Sequence, residues 1–345
     1  MIEEFIKFVE AGRDLSESEA QRALELVLSE ETPDAFIAAL LTALAKKGET
    51  SEEITGFARV MRRQAIPIQS RQDKLIDTAG TGGGVDTFNI STTAAFVIAG
   101  AGVSVAKHGN RALTSRCGSA DVLVALGVSI ECPPEVAQRA LDSIGLAFMF
   151  APLFHPAMKR VAQIRRELKH RTIFNMLGPL TNPASAPYQI IGVYSADLTE
   201  KLATASLGLG CRRTWVVYSY DGLDELSTGA KVSVSDARDG KVESFELDPK
   251  ELGFRRSSAS EFSGGSAEQN ARVVQGILEG KLKGPARDVV VLNAAAALHV
   301  AGEGELIEMV KKAEESLDSG AALEKLSQLI EAYGEKADPL DRLTH

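Results

Sequence analysis

The segment from Asp77 to Arg116 places two glycine-bearing loops one after the other, each at the end of a short apolar run. The first loop contains the glycines between Gly80 and Gly84 and leads into an apolar helix. The second follows the β-type run Val103 to Ala106. This alternation of strand, loop and helix is typical of an α/β sheet.

The residues of both loops have the chemistry of an anion site. Glycine lets the backbone approach an anion closely, and helix N-terminal amides with neighbouring hydroxyls can then bind it. The second loop adds a lysine and an arginine that can reach the same charge. The candidate ligands are Asn89, Ser91, Thr92, Lys107, His108, Gly109, Asn110 and Arg111. Because two such loops occur in one α/β unit, we predict a phosphorylated ligand.

The net charge of the 345-residue chain is −9, which argues against a nucleic-acid binder because such proteins are usually basic. Two local groups of cations stand out against this acidic balance. The first accompanies the second loop and contains Lys107, His108, Arg111 and Arg116. The second group is compatible with either an anion site or a solvated helix face, and its members are Arg165, Arg166, Lys169 and Arg171.

Several features predict a cytosolic protein that does not enter a membrane. Cys117, Cys132 and Cys211 lack the spacing of a metal site, and a chain of this length folds without disulfides, so we expect reduced thiols. The acidic, amphipathic N-terminus is unlike a signal peptide. No apolar stretch is long enough to span a bilayer.

The hydrophobic pattern divides the chain in two. Residues 2–66 show helical periodicity only, which predicts a helical domain over 1–70. Alternating strands and helices then predict an α/β domain over 71–345. Its strands begin at Leu75 and include Ile190 to Tyr194 and Thr214 to Tyr218, the last of which delivers an acidic loop to a carboxyl edge. Val289 to Ala301 is either a buried helix or a strand followed by a helix.

Four motifs in this order resemble the anthranilate phosphoribosyltransferase family over nearly the full length of the chain. They are GTGGG…NIST, KHGNRALTSRCGSAD, RTIFNMLGPLTNP from Arg171 to Pro183, and DGLDELS from Asp221 to Ser227. The resemblance implies a small N-terminal helical bundle and a larger α/β domain with a mostly parallel sheet. It also implies that a segment around 177–187 returns to the helical domain, with the active site in the interdomain cleft.

The family's reaction transfers the phosphoribosyl group of 5-phosphoribosyl 1-pyrophosphate (PRPP) to the amine of anthranilate, the second step from chorismate to L-tryptophan. The resemblance implies Mg²⁺ as cofactor and a homodimer formed through the helical domain. The metal ligands it implies are Ser91, Asp224 and Glu225. Considered alone, the pair Asp224 and Glu225 is more typical of a solvated loop, but its position after a predicted strand favours the site.

The same resemblance implies the substrate contacts. Those to PRPP would come from Gly80, Gly83, Gly84, Thr87, Asn89, Ile90, Ser91, Thr92, Lys107, His108, Gly109, Asn110, Arg111, Ala112, Leu113, Thr114, Ser115 and Ser119. Those to anthranilate would come from Gly80, His108, Asn110, Arg165, Gly178 and Pro179. We expect His108 to bind rather than to transfer protons, and we expect His155 and His299 to be structural.

The chain departs from the family pattern at Gly84, where the family has an acidic residue. The loop is also one residue shorter, which draws Asp86 towards the glycines and favours Asp86 in that role over a loop that works without an acid. A pyrimidine nucleoside phosphorylase is the alternative with the same fold, but it would not need the Asp-Glu pair or the GPLTNP segment. Relatives that bind nucleic acid form another alternative, against which the acidic balance and the intact KHGNR motif argue.

Overall fold

The computed structural model describes residues 2–112 and 116–334. The chain begins with the helices α1 (Ile2–Glu10), α2 (Glu17–Leu28), α3 (Asp34–Lys47) and α4 (Ser51–Arg63). Ser16 and Thr50 begin α2 and α4 with reciprocal capping boxes to Glu19 and Glu53, which satisfy amides left free at a helix start. The predicted N-terminal helical bundle is confirmed.

The remainder of the described chain contains one seven-stranded sheet. Its strands are β1 (Leu75–Gly80), β2 (Ser104–Gly109), β3 (Leu146–Phe150), β4 (Tyr188–Gly192), β5 (Arg213–Ser219), β6 (Val232–Arg238) and β7 (Lys241–Leu247). Their order is β3-β2-β1-β4-β5-β6-β7. The strands from β3 to β5 are parallel, and the β6–β7 hairpin adds two antiparallel strands. The predicted, mostly parallel sheet is confirmed.

Eleven further α-helices lie between and after these strands in the described residues. They are α5 (Ile90–Gly100), α6 (Ser119–Ala125), α7 (Pro134–Ile144), α8 (Ala151–Phe154), α9 (Lys159–Leu168), α10 (Phe174–Leu180), α11 (Leu198–Gly208), α12 (Ala267–Leu278), α13 (Pro285–Val300), α14 (Leu306–Asp318) and α15 (Ala321–Gly334). No helix in this part of the chain is both long and apolar enough to cross a membrane.

Several boundaries differ from those expected from the pattern. Lys107 and His108 lie within β2 rather than in the loop after it, because they pair with Phe148 and Met149 of the buried strand β3. Three strands, β3, β6 and β7, were not predicted from the sequence. The ambiguous segment 289–301 lies almost entirely in α13, which begins at Pro285 and is buried on nearly all sides.

Two hydrophobic cores cover the two faces of the sheet. One packs α5, α13 and the C-terminal helices against the strands. The other joins α1–α4 to residues of α9, α10 and α11, including Val161, Phe174, Leu177 and Leu202. Because α10 packs in this second core, the loops at the sheet edge and the helical side lie close to each other.

Candidate active site

The site is built at the carboxyl edge of the sheet, where the strand order reverses. The chain passes from β1 to β2 on one side, whereas β4 pairs with β1 on the other. In open α/β sheets, ligands bind at this type of switch point. The glycine loop leaves the end of β1, beside Gly192 of β4. The strand order and the sequence motifs therefore both indicate a ligand site at the carboxyl edge of the sheet.

The acidic loop after β5 folds back over these strand ends. A Cβ on Gly192 would overlap the carbonyl of Asp224, and one on Gly80 would lie 2.8 Å from Asp224 Oδ2. A Cβ on Gly84 would lie 2.7 Å from Asp224 Oδ1 and 2.9 Å from the carbonyl oxygen of Gly222. These glycines are therefore required by the close approach of the acidic loop.

Gly84 consequently occupies a position with little room for an acidic side chain. Asp86 does not occupy that position. The Asp86 carboxylate lies 3.3 Å from Arg116 Nε, on the side of the second loop. Gly83 has φ +87°, and Arg171 donates a 2.8 Å hydrogen bond to its carbonyl oxygen. The Arg171 guanidinium also stacks on Tyr194, 3.7 Å from the ring centroid. Arg171 thus fixes the glycine loop from the helical side.

Lys107 is buried beneath the first loop and points to the start of α5. Its Nζ donates to the carbonyl oxygen of Thr78 at 2.6 Å and lies 3.3 Å from Ser91 Oγ. Burial lowers the pKa of Lys107, opposed by the nearby charges of Asp77 and Glu225. The lysine is therefore a desolvated cation next to the predicted phosphate ligand Ser91.

Asp224 and Glu225 are half-buried, and burial raises the pKa of both. The pKa of Glu225 rises to about 7, with the charge of Asp224 adding to burial and Lys107 opposing it. The hydroxyl and the backbone of Ser91 also oppose this rise in the pKa of Glu225. The side chain of Asn293 in α13 holds the acidic loop in place. It accepts a hydrogen bond from the Leu226 amide at 3.1 Å and donates one to the Leu226 carbonyl oxygen at 2.8 Å. The pair is not the solvated surface that its composition alone would favour.

Asp77 and Asn182, which the sequence analysis did not assign to the site, form its buried floor. The Asp77 carboxylate accepts from the His108 amide at 3.2 Å and from Asn182 Nδ2 at 2.7 Å. Asn182 also donates to the carbonyl oxygen of Ala106 at 2.8 Å. Burial raises the pKa of Asp77 to about 6. This network ties β1 and β2 to the segment after α10.

His108 faces α10. Its Nδ1 lies 3.2 Å from the carbonyl oxygen of Gly178, to which it donates, and its Nε2 has no hydrogen-bond partner among the described residues. Burial, assisted by His155, lowers the pKa of His108 to about 3. The two imidazole rings lie 5.0 Å apart. Pro179 follows Gly178 in α10, and its carbonyl oxygen accepts a hydrogen bond from Gln189 at 2.8 Å.

Arg165 projects from α9 on the helical side of the site. Burial lowers the pKa of Arg165, and its guanidinium lies 5.2 Å from the ring centroid of Phe174. No carboxylate in the described residues pairs with it. A partly buried guanidinium without a counter-charge is suited to bind a carboxylate in two-pronged geometry.

The second loop is held mainly by its own contacts. Asn110 accepts from the Arg111 amide at 2.8 Å, and Ser119 Oγ lies 3.4 Å from the carbonyl oxygen of Asn110. The Arg111 side chain is exposed and pairs with Asp121 and Glu131 at 3.1 and 3.0 Å. Its guanidinium is therefore already engaged. Leu113, Thr114 and Ser115, which the resemblance assigned to PRPP, lie outside the described residues.

The other predicted donor residues lie along the first loop and the start of α5. Thr87 bridges to Ser263, and Asn89 immediately precedes α5. The side chains of Ile90 and Thr92 are buried, and their backbone amides belong to the first turn of α5. Gly109 and Ala112 flank Asn110 and Arg111 at the end of β2 and the start of the second loop.

Comparison with known proteins identifies the family. The glycosyl transferase family, a/b domain, matches residues 72–323, and the glycosyl transferase family, helical bundle domain, matches residues 3–65. An anthranilate phosphoribosyltransferase of Moorella thermoacetica is 50% identical over 332 residues, covering 96% of this chain and 98% of the relative. The chain belongs to the anthranilate phosphoribosyltransferase family.

Other anthranilate phosphoribosyltransferases agree in sequence and structure. The Desulfosudis oleivorans protein is 52% identical over 92% of this chain and 95% of its own. The crystal structure from Thermus thermophilus has a TM-score of 0.91 at 41% identity, covering 96% of this chain and 99% of that one. A Saccharomyces cerevisiae structure in complex with PRPP and Mg has a TM-score of 0.88 at 29% identity, covering 96% and 97%.

The sequence of this anthranilate phosphoribosyltransferase family member did not reveal the residues that hold the predicted site residues and loops in place. Asn182 lies inside the GPLTNP motif, and Asp77 lies within β1, three residues before Gly80. Asp77 could have been noticed as a charged residue inside a predicted strand, and Asn182 as a polar member of a quoted motif. Asn270 and Asn293 lie on helices with no motif of their own, so no local signal identified them.

Proposed function

We propose that the chain transfers the phosphoribosyl group of PRPP to the amine of anthranilate, giving N-(5-phosphoribosyl)anthranilate and pyrophosphate. The main support for this proposal is that two surfaces of different chemistry lie next to each other, one at the sheet edge and one on the helical side. Glycine loops, Lys107 and an acidic pair lie at the sheet edge. His108, Gly178 and Arg165, a cation that pairs with no described carboxylate, lie towards the helical side. The first surface is suited to a charged donor, and the second to an aromatic acid.

The donor site comprises the first loop with the start of α5 and the second loop with the start of α6. Backbone amides next to Gly80, Gly83 and Gly84 can approach a pyrophosphate closely. The remaining described ligands proposed here are Thr87, Asn89, Ile90, Ser91, Thr92, Lys107, His108, Gly109, Asn110, Arg111, Ala112 and Ser119. Among them Lys107 is the buried cation, and the backbone of Arg111 is a better candidate than its ion-paired guanidinium.

The acceptor site lies against α9 and α10. Arg165 binds the anthranilate carboxylate, and Gly178 with Pro179 forms a rigid wall against the ring. His108 contributes a neutral imidazole because its pKa is lowered to about 3. Asn110 and Gly80 complete the contacts at the junction with the donor site.

The acidic loop has the donor set for Mg²⁺. Two half-buried carboxylates and Ser91 are hard oxygen ligands, and a cavity of about 10 Å³ borders Ser91 and Glu225. Residues 2–112 and 116–334 contain no cluster of three or more His, Cys, Asp or Glu that could hold a metal. This incomplete set fits an ion that takes its other ligands from substrate phosphates and water. When bound, Mg²⁺ would neutralise charge on the pyrophosphate.

The chain's own residues then act by positioning and by electrostatics. The amine of anthranilate is neutral at physiological pH, so attack on the anomeric carbon does not require a strong general base. Lys107 and the loop amides hold the pyrophosphate and stabilise its growing charge as the glycosidic bond breaks. Arg165 and the wall at Gly178 hold the amine towards the anomeric carbon, which lowers the entropic part of the barrier.

We also propose a cytosolic homodimer with a discontinuous helical domain. The free thiols of Cys117, Cys132 and Cys211 are compatible with a reducing compartment. The core shared by α1–α4 and α10 supports a return of the chain around 177–187 to the helical domain of 1–70. Val161 and Ile164 of α9 belong to the same core, which extends the returning segment towards the N-terminus.

The experiment that tests the function follows the loss of anthranilate fluorescence with PRPP and a range of Mg²⁺ concentrations. We expect Mg²⁺-dependent loss of anthranilate matched by release of one pyrophosphate per turnover. A parallel sample with a pyrimidine nucleoside and inorganic phosphate tests the phosphorylase alternative. Phosphorolysis without loss of anthranilate at any Mg²⁺ concentration would contradict the proposal.

A further inference from the structure

A segment that carries none of the four motifs supports the first loop from outside. We call residues 262–270 the support segment. The Phe88 amide donates to the carbonyl oxygen of Phe262 at 2.9 Å, and Thr87 forms a β-bridge with Ser263. A Cβ on Gly264 would overlap the carbonyl of Thr87. The support segment therefore packs backbone to backbone against the loop proposed to bind PRPP.

Asn270 ends the support segment, and both ends of its amide are used. The side chain is buried, with 2% of its surface exposed. Its Oδ1 accepts from the Gly265 amide at 2.8 Å, which keeps the support segment closed. Its Nδ2 donates to Asn89 Oδ1 at 2.9 Å. Asn89 is one of the residues proposed to bind the donor.

These contacts determine which way the Asn89 amide is oriented. Asn270 must direct its oxygen towards Gly265, because an NH₂ group there would meet another donor. Its own NH₂ group then faces Asn89, which must present its oxygen in return. The NH₂ group of Asn89 is therefore directed to the second loop, where it donates to the carbonyl oxygen of Cys117 at 3.2 Å.

An amide nitrogen has two hydrogens, and one of those on Asn89 Nδ2 is used by Cys117. Among the residues that the structure describes, none accepts the other hydrogen. A donor there attracts a phosphate or ribose oxygen, whereas the amide oxygen in the same position would repel a phosphate.

We propose that Asn270 is a positioning residue for donor binding: it fixes the Asn89 amide so that an N–H, and not the oxygen, faces PRPP. This proposal rests on the donor site proposed above. Asn270 does not touch the substrate and acts only through Asn89. The same contact joins the support segment to both glycine-bearing loops, since Asn89 bonds to Asn270 and to Cys117.

The test compares Asn270→Ala with Gln269→Ala, its neighbour on α12. Gln269 caps the same helix by accepting from the Ser266 amide at 2.8 Å, so its loss perturbs the helix start but not the bond to Asn89. We expect Asn270→Ala to raise the KM for PRPP by up to about tenfold, the range for one lost hydrogen bond. The KM for anthranilate and kcat should stay near wild type, and Gln269→Ala should change neither KM.

A double-mutant cycle with Asn89→Ala separates positioning from a general structural role. We expect Asn270→Ala to add little once Asn89 is already alanine. An equal rise in the PRPP KM in both backgrounds would overturn the proposal. Asn270→Ser is the second variant, because it keeps a polar group at this buried position while the donor to Asn89 is lost; a wild-type KM in this folded variant would also overturn the proposal.

Calorimetric titration with PRPP and Mg²⁺ makes the result independent of catalysis. A wild-type chain that binds PRPP but transfers nothing to anthranilate contradicts the proposed function alone. In that case weaker PRPP binding by Asn270→Ser still supports the role of Asn270, and unchanged binding overturns it. A wild-type chain that does not bind PRPP overturns both proposals.

Discussion

At the scale of single residues, the most telling side chain is Arg165. Burial lowers its pKa, and no described carboxylate compensates for the cost of burying its charge. A protein retains such a cation at a cost in stability, which is readily explained if a substrate supplies the missing anion. Arg166, the next residue along the helix, is exposed and provides an internal comparison.

Arg165→Ala is expected to weaken anthranilate binding by about 2–4 kcal/mol, the range for removing one partner of a buried charge pair. The KM for PRPP should be nearly unchanged because the lost contact is to the carboxylate of anthranilate. Steady-state kinetics with each substrate varied in turn provides the measurement. Arg166→Ala serves as the control and should behave like wild type. If Arg165→Ala leaves the anthranilate KM unchanged, Arg165 does not belong to the acceptor site.

His108 provides a second prediction at this scale. Its pKa of about 3 means that it stays neutral throughout the usual assay range, so it should not titrate during catalysis. His108→Gln should therefore lower kcat/KM for anthranilate without changing the shape of its pH profile. The measurement is kcat/KM between pH 5.5 and 9 for both proteins. A limb with a pKa between 6 and 7 that disappears in the variant would contradict a neutral binding role.

At the scale of elements, strands β1 and β2 and the segment after α10 are tied together by Asp77. Its carboxylate oxygens accept from the His108 amide and from Asn182. An amide in its place would turn an NH₂ group towards one of these donors. We therefore expect Asp77→Asn to lower the free energy of unfolding by about 1–3 kcal/mol.

The cost of Asp77→Asn should also depend on pH. Burial raises the pKa of Asp77 from 3.8 to about 6, so the folded state prefers the protonated form. The stability that this preference contributes is complete below pH 3.8 and declines as the pH rises through about 6. Urea unfolding should show a larger cost at pH 5 than at pH 7.5. Asp73→Asn is the control, because Asp73 is exposed. If Asp77→Asn loses as much unfolding free energy at pH 7.5 as at pH 5, or more, the predicted pH dependence is wrong.

Element boundaries show what could and could not be predicted from the sequence. The glycine loops, the acidic loop and the helical bundle follow from local patterns that identify strand ends and helix starts. The extension of β2 through His108 depends on pairing with β3, which has no alternating pattern because it is buried on both faces. The supporting bonds from Asn182 to Asp77 and from Asn270 to Asn89 join residues 105 and 181 positions apart. No local pattern encodes such contacts.

At the scale of the whole molecule, the fold brings a strand edge and a helical surface together. Arg171 crosses between them, since it precedes α10 and donates to the carbonyl oxygen of Gly83. Because the two surfaces contain different chemistry, each substrate can be held by its own elements. The proposed dimer contact lies in the helical domain.

The homodimer is tested by the mass of the protein in solution. We expect light scattering after size exclusion to give twice the 36.8 kDa mass of the chain at micromolar concentration. Dilution should not change that mass if the contact is permanent. A mass of 36.8 kDa across the concentration range would contradict a dimer.

The most direct test of the two-sided site is a crystal structure of the chain with PRPP, Mg²⁺ and an unreactive anthranilate analogue. We expect the pyrophosphate against Gly80–Gly84 and Lys107, Mg²⁺ on Asp224 and Glu225, and the analogue's carboxylate on Arg165. The amine position of the analogue should face the anomeric carbon. Pyrophosphate bound away from the glycine loop, or an analogue carboxylate that does not contact Arg165, would contradict the account.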